Sequence, residues 1–154
     1  MSSAWRNSTW ILLGSSLILA VSLGVRHGFG LFLPPMSAEF GWGREVFAFA
    51  IALQNLIWGL AQPFTGALAD RFGVTRVVLI GGVLYAVGLV LMALADTPTS
   101  LSLSAGLLIG VGLSGTSFSV ILGAVGRAAP PEKRSMAMGI AAAAGSFGQF
   151  AMLP

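Results

Sequence analysis

The sequence has 154 residues, of which 56% are hydrophobic and 8% charged, with a formal net charge of +3 and no cysteine. Charges are missing from windows of about twenty residues, the length at which a helix crosses a bilayer, and a soluble domain this apolar would aggregate. The lack of cysteine excludes disulfides, zinc thiolates and thiol nucleophiles, and the scatter of basic residues over short segments excludes a nucleic-acid patch.

Hydropathy and chain breakers predict an all-α fold, a polytopic transmembrane helix bundle of about five helices within a single membrane domain over residues 1–154. The expected helices cover residues 10–33, 46–65, 74–94, 101–124 and 136–153. Between them stand Pro34 and Pro35 with Gly41-Trp42-Gly43, a charged turn around Asp70, Asp96-Thr97-Pro98, and Ala129-Pro130-Pro131.

In the first helix, Arg26 lies about two-thirds of the way along, where an unpaired guanidinium costs at least a few kcal/mol. It shares a helical face with Ser15 and Ser22, continuing to Phe29. Two readings stand: Arg26 meets a wet cavity or an anion, or it snorkels to the headgroup layer. His27 points about 100 degrees away and reads first as a packing residue, although an imidazole would suit proton coupling. Along the second helix Asn55, Trp58, Gln62 and Thr65 make a polar and aromatic stripe that pairs naturally with the Arg26 face around one cavity. Gly24, Gly28, Gly30, Gly59 and Pro63 mark segments that bend.

The turn from Gly66 to Arg76 reads G-A-L-A-D-R-F-G-V-T-R, and both flanking runs enter lipid within a few residues, so it closes a tight hairpin. Gly66 and Gly73 permit close approach, Asp70 can cap a helix N-terminus, and Arg71 and Arg76 offer ion-pair forks. In the later helices Gly106 with Gly110, Ser119 with Gly123, and Ala141 with Gly145 stand four apart, the spacing that lets helices approach closely in lipid. Arg6, Arg71, Arg76, Arg127, Lys133 and Arg134 fall on one side of the alternating topology and Arg44 on the other. The positive-inside rule then puts the N-terminus in the cytoplasm and the Met36 to Glu45 segment outside, in a bacterial inner membrane.

The Gly66 to Arg76 turn resembles the signature loop between the second and third helices of the major facilitator superfamily, with Gly66, Leu68, Asp70, Arg71, Gly73 and Arg76 on its marked positions. Val74 and Thr75 stand where that family is usually basic. The resemblance implies that the turn is a conformational latch whose Asp meets a helix start in the other half of the transporter. Glu132, in the next cytoplasmic loop, is the nearest acidic partner for Arg71 or Arg76. The run from Lys133 to Gly145, together with Gly30, Phe32, Pro35, Met36 and Glu39-Phe40-Gly41-Trp42, is similar to the monocarboxylate and oxalate/formate branch.

The superfamily has about twelve helices in two six-helix halves. The sequence is therefore expected to be an incomplete N-terminal half, with the C-terminal half as its missing partner. The expected function is secondary active transport of a small solute, a monocarboxylate or other organic anion, by alternating access in the lipid bilayer. Arg26, Asn55, Trp58 and Gln62 are the expected substrate-binding residues, with no cofactor, metal or nucleic acid. The alternatives are a small oligomeric channel, a structural membrane subunit, or a fragment without function. An enzyme is not expected: Asp70 and Asp96 fall on opposite faces of the membrane, and His27 has no evident serine partner.

Overall fold

The computed structural model describes residues 3–152, with side chains from Thr9 onward. Met1 and the Arg6 side chain, which entered the charge count, and Leu153, the expected end of the last helix, lie outside the described residues. Every regular element among the described residues is helical. Lipid offers no partner to backbone N–H and C=O groups, and a helix satisfies its own. Among the described residues, four stretches are long and apolar enough to cross a membrane: Thr9–Phe40, Arg44–Phe72, Val74–Ala93 and Pro98–Ala128.

The first stretch is not one helix. Helix α1 (Ser3–His27) passes into a 3-10 turn (Gly28–Phe32) and then into α2 (Leu33–Phe40). Pro34 and Pro35 therefore do not end the helical path; they sit in the first turn of α2, where a missing N–H breaks no intrahelical bond. The stop comes at Gly41, whose φ of +66° suits glycine and whose N–H donates to Ser37 O at 3.1 Å. Beyond it, the rings of Phe40 and Trp42 stack at 4.5 Å.

Helix α3 (Arg44–Phe72) runs through Pro63 and past the expected end at residue 65, so Gly66, Asp70 and Arg71 are helical rather than part of a loop. Ala67, Leu68 and Ala69 favour that continuation. One residue, Gly73 at φ +93°, separates α3 from α4 (Val74–Ala93).

The expected helix over 101–124 is instead a series. Thr97 and Ser100 form a reciprocal capping box, each side chain accepting from the other's backbone N–H at 3.1 Å. They start α5 (Pro98–Leu101), which leads into a π-helical segment (Ser102–Leu108) and α6 (Ile109–Gly115). After a break at Thr116 and Ser117 the chain resumes as α7 (Phe118–Ala128). A short 3-10 turn (Pro131–Lys133) precedes α8 (Arg134–Ala151), which starts before residue 136 and is not among the four apolar stretches above.

These elements form two compact units, Met1–Phe29 with Ser117–Pro154, and Gly30–Thr116. In the first, α8 lies along α1 through small residues. A methyl group on Gly24 would stand 2.6 Å from Gly148 O, and one on Gly148 would run into the Ala20 backbone. Gly145 faces Leu23 and Phe118, and its expected pair-mate Ala141 is fully buried. In the second, Gly106 and Gly110 admit Ala50, Leu53, Gln54 and Ile57 of α3. Gly112 and Gly115 lie against Gly81 of α4, and a methyl on Gly112 would stand 2.7 Å from Tyr85 N. The Ser119 and Gly123 pair makes no such contact, because the nearest atoms to Gly123 belong to Arg127 of its own helix. Outward faces carry Phe64, Leu79 and Phe150, each more than 60% exposed, as expected for a lipid-facing surface.

Gly112→Ala should destabilise the protein by about 1–3 kcal/mol, because the added methyl meets backbone that cannot give way. Gly82→Ala, on the same pair of helices but open for 4 Å around, should be neutral or slightly stabilising. Thermal unfolding in detergent, followed by tryptophan fluorescence, compares the two.

Candidate functional site

In the first unit the Arg26 face is built by α1. Ser15, Leu19 and Ser22 follow helical spacing and are all buried, and Arg26 continues the face one turn beyond Ser22, half-buried at the end of the helix. The guanidinium Nε of Arg26 is itself buried, on the last turn of α1 before the 3-10 turn. His27 is exposed, not packed, with Nδ1 3.3 Å from Leu23 O on its own helix.

In the second unit the polar stripe of α3 divides. Asn55 is exposed, and its Nδ2 donates to Ile51 O at 2.9 Å on the same helix. Trp58 and Gln62 are half-buried. Thr65 Oγ1 lies 3.1 Å from Ala61 O and from Gln62 O, and 3.2 Å from Ser114 O on α6. The side chain that sequence reasoning missed is Gln54: it is 1% exposed, and its Nε2 donates to Ala105 O at 2.7 Å within the π-helical segment. A π turn displaces carbonyls from the regular ladder and leaves them open to side-chain donors. Ser104 Oγ donates to Ser100 O at 2.7 Å in the same way. The sequence did hold a signal for Gln54, since Gln54, Trp58 and Thr65 share one face at spacings of four and seven.

The charged turn lies at the end of α3. Asp70, Arg71 and Arg76 are exposed, and the Arg71 guanidinium stands 5.2 Å from the centre of the Phe72 ring. Gly73 has a backbone conformation that side-chain-bearing residues rarely adopt. Gly66 shows no close approach: a methyl group there would meet nothing within 4 Å. Of the residues assigned to substrate, Arg26 belongs to the first unit and Asn55, Trp58 and Gln62 to the second; of those assigned to the latch, Glu132 belongs to the first, on the Pro131–Lys133 turn, and the rest to the second.

Residues 12–154 match the family model of the Major Facilitator Superfamily. Multidrug resistance protein MdtH of Proteus mirabilis (strain HI4320) is 38% identical over 96 residues, covering 60% of this chain and 24% of that protein. The uncharacterized MFS-type transporter YhjX of Escherichia coli (strain K12) is 32% identical over 109 residues, covering 71% of this chain and 27% of the relative. MdtH of Yersinia pestis (strain Pestoides F) is 37% identical over 110 residues, with 69% and 27% covered. The chain spans about a quarter of the length of these relatives.

Gln54→Leu keeps the bulk but leaves the buried Ala105 carbonyl without its donor, a loss of about 1–3 kcal/mol. Thermal stability in detergent should fall accordingly, while Asn55→Leu, which removes a bond within an exposed helix face, should change it little. Equal stability of the two variants would show that the contact to the π-helical segment adds nothing.

Proposed function

The chain belongs to the Major Facilitator Superfamily, and we propose that the protein carrying it is a secondary active transporter that moves a small solute by alternating access. The observation that carries this reading is the match over residues 12–154, which includes the Gly66 to Arg76 signature. The solute we assign is an organic anion, a monocarboxylate in the first instance. Arg26 is the cation for it, since a guanidinium at helix depth binds a carboxylate through two parallel hydrogen bonds. On α3 we assign polar and aromatic contacts with solute to Asn55, Trp58 and Gln62. The similarity of the Lys133 to Gly145 run to monocarboxylate carriers supports this choice.

A second reading, export of chemically varied drugs, is favoured by the names of the MdtH relatives. Both readings require a carrier, so saturable, gradient-driven movement separates them from a passive channel. Proteoliposomes holding the complete protein under an imposed proton gradient, given labelled lactate, formate and oxalate, should accumulate at least one of them. Saturable movement of dyes or drugs without any carboxylate would replace the anion with the second reading. No gradient-driven movement of either class would sink the carrier.

The Arg26 role is tested by two substitutions. Arg26→Gln should reduce carboxylate binding strongly with folding intact, and Arg26→Lys should restore part of it, because lysine keeps the charge but loses the planar fork. Full rescue by lysine, with glutamine lowering expression instead, would mean that the guanidinium snorkels to the interface.

For the turn we assign a latch, in which Asp70 favours one conformational state. Asp70→Asn should preserve insertion and slow transport, through a differential on the order of 1 kcal/mol between the two states. The basic-residue asymmetry puts Met1, Asp70 and Lys133 on the cytoplasmic side and Glu39 and Asp96 outside. Single cysteines in this cysteine-free chain, treated with an impermeant maleimide on intact cells, should react at position 39 and not at position 71.

A further inference from the structure

Where α2 and α4 end, the second unit holds a cavity of about 430 Å³. Its wall is apolar on almost every side, with Phe32, Met36 and Phe40 from the α2 region and Leu89 and Met92 from α4. Glu39 is its single ionisable residue. That carboxylate is exposed and forms no hydrogen bond or ion pair with any described residue. We propose that this cavity is a lipid site selective for a primary-ammonium headgroup, a phosphatidylethanolamine whose amine meets Glu39 and whose acyl chain lies against Phe32, Met36, Leu89 and Met92.

Three observations carry the assignment. The cavity lies at the end of two membrane stretches, beside the Phe40 and Trp42 stack. A tryptophan such as Trp42 settles at the headgroup level, where its amphipathic ring has one wet and one apolar side. Two of its wall residues, Phe32 and Phe40, are 49% and 36% exposed, so it opens onto the outer apolar surface. An apolar space of this kind is not held by water, which needs polar partners, and the neighbouring acyl chains are the material at hand to fill it. Finally, the lining has one negative charge and no positive one. An anionic headgroup would be repelled. A quaternary choline would bring charge without a hydrogen-bond donor, whereas a primary ammonium brings three donors. Thioethers at Met36 and Met92 adapt to an acyl chain of variable path.

Native mass spectrometry of the purified, delipidated full-length protein tests this, with phosphatidylethanolamine, phosphatidylcholine and phosphatidylglycerol of identical acyl chains added one at a time. Wild type should retain phosphatidylethanolamine roughly tenfold better than the other two, the ratio that one charge-assisted hydrogen bond supports. Glu39→Gln should flatten the preference while leaving some lipid bound, and Glu39→Lys should turn it toward phosphatidylglycerol. Met92→Trp, which fills the cavity from a different wall, should lower retention of all three lipids. Equal retention of the three lipids by wild type, or a headgroup preference unchanged in Glu39→Lys, would overturn the proposal. Loss of preference without any effect of Met92→Trp would overturn it too, by moving the charge contact outside the cavity.

Discussion

Close approach of backbones at glycine is the constraint on which the rest of this structure depends. Inside a bilayer the apolar surfaces of two helices gain nothing by leaving lipid for each other, so contact must come from dispersion and from polar groups that reach across a short gap. Both compact units use the same device. In one, Gly24 and Gly148 bring α1 and α8 together at Ala20; in the other, Gly81 meets Gly112 and Gly115. The fourth apolar stretch carries two small faces. On an ideal helix Gly106 and Gly110 point to one side and Gly112 and Gly115 to roughly the opposite one, so one run can serve two neighbours. That is why the most apolar window of Pro98–Ala128 is 61% buried, against 17% for that of Arg44–Phe72.

Glycine permits approach but does not fix register, since a smooth groove allows sliding. Register in the second unit comes from two polar bonds that α3 makes across the gap, Gln54 to Ala105 and Thr65 to Ser114. Each joins a side chain to a backbone carbonyl, and each lies where low dielectric makes a mismatched polar group costly. The division of labour along α3 follows from this. Gln54 and Thr65 are committed to the partner helix, with Trp58 on the same face, while Asn55 and Gln62 point off that seam. A polar stripe that looked uniform is thus two sets of side chains about 70 degrees apart.

Length and apolarity made the membrane-spanning helices legible, because nothing else explains charge-free windows of that size, and the spacing of Gly66, Asp70, Arg71 and Gly73 pointed to the family. Backbone irregularities were legible only in part. Gly28 and Gly30 marked a bend where the 3-10 turn falls, whereas the break at Thr116 and Ser117, within the Ser114-Gly115-Thr116-Ser117 cluster, was read through as continuous helix. Both fall where the chain passes between its two compact units, so each is set by tertiary context. Gln54 was missed for a related reason: adjacent polar residues on a helix differ only in direction, and the direction that matters is set by which glycines stand opposite.

The extension of α3 to Phe72 changes what the signature turn costs. Asp70 lies in the last turn of a helix, where the dipole disfavours a carboxylate by about 0.3–1 kcal/mol and favours a base such as Arg71. Gly73 supplies the reversal that follows through its own backbone freedom. In the proposed latch the carboxylate acts through a contact that is stronger in one conformational state than in another, and such a differential contact is what shifts a two-state equilibrium. A helix-end cost of this size is of the same order as the differential that the proposed latch needs, so a modest gain at Asp70 in one state is enough to move the populations.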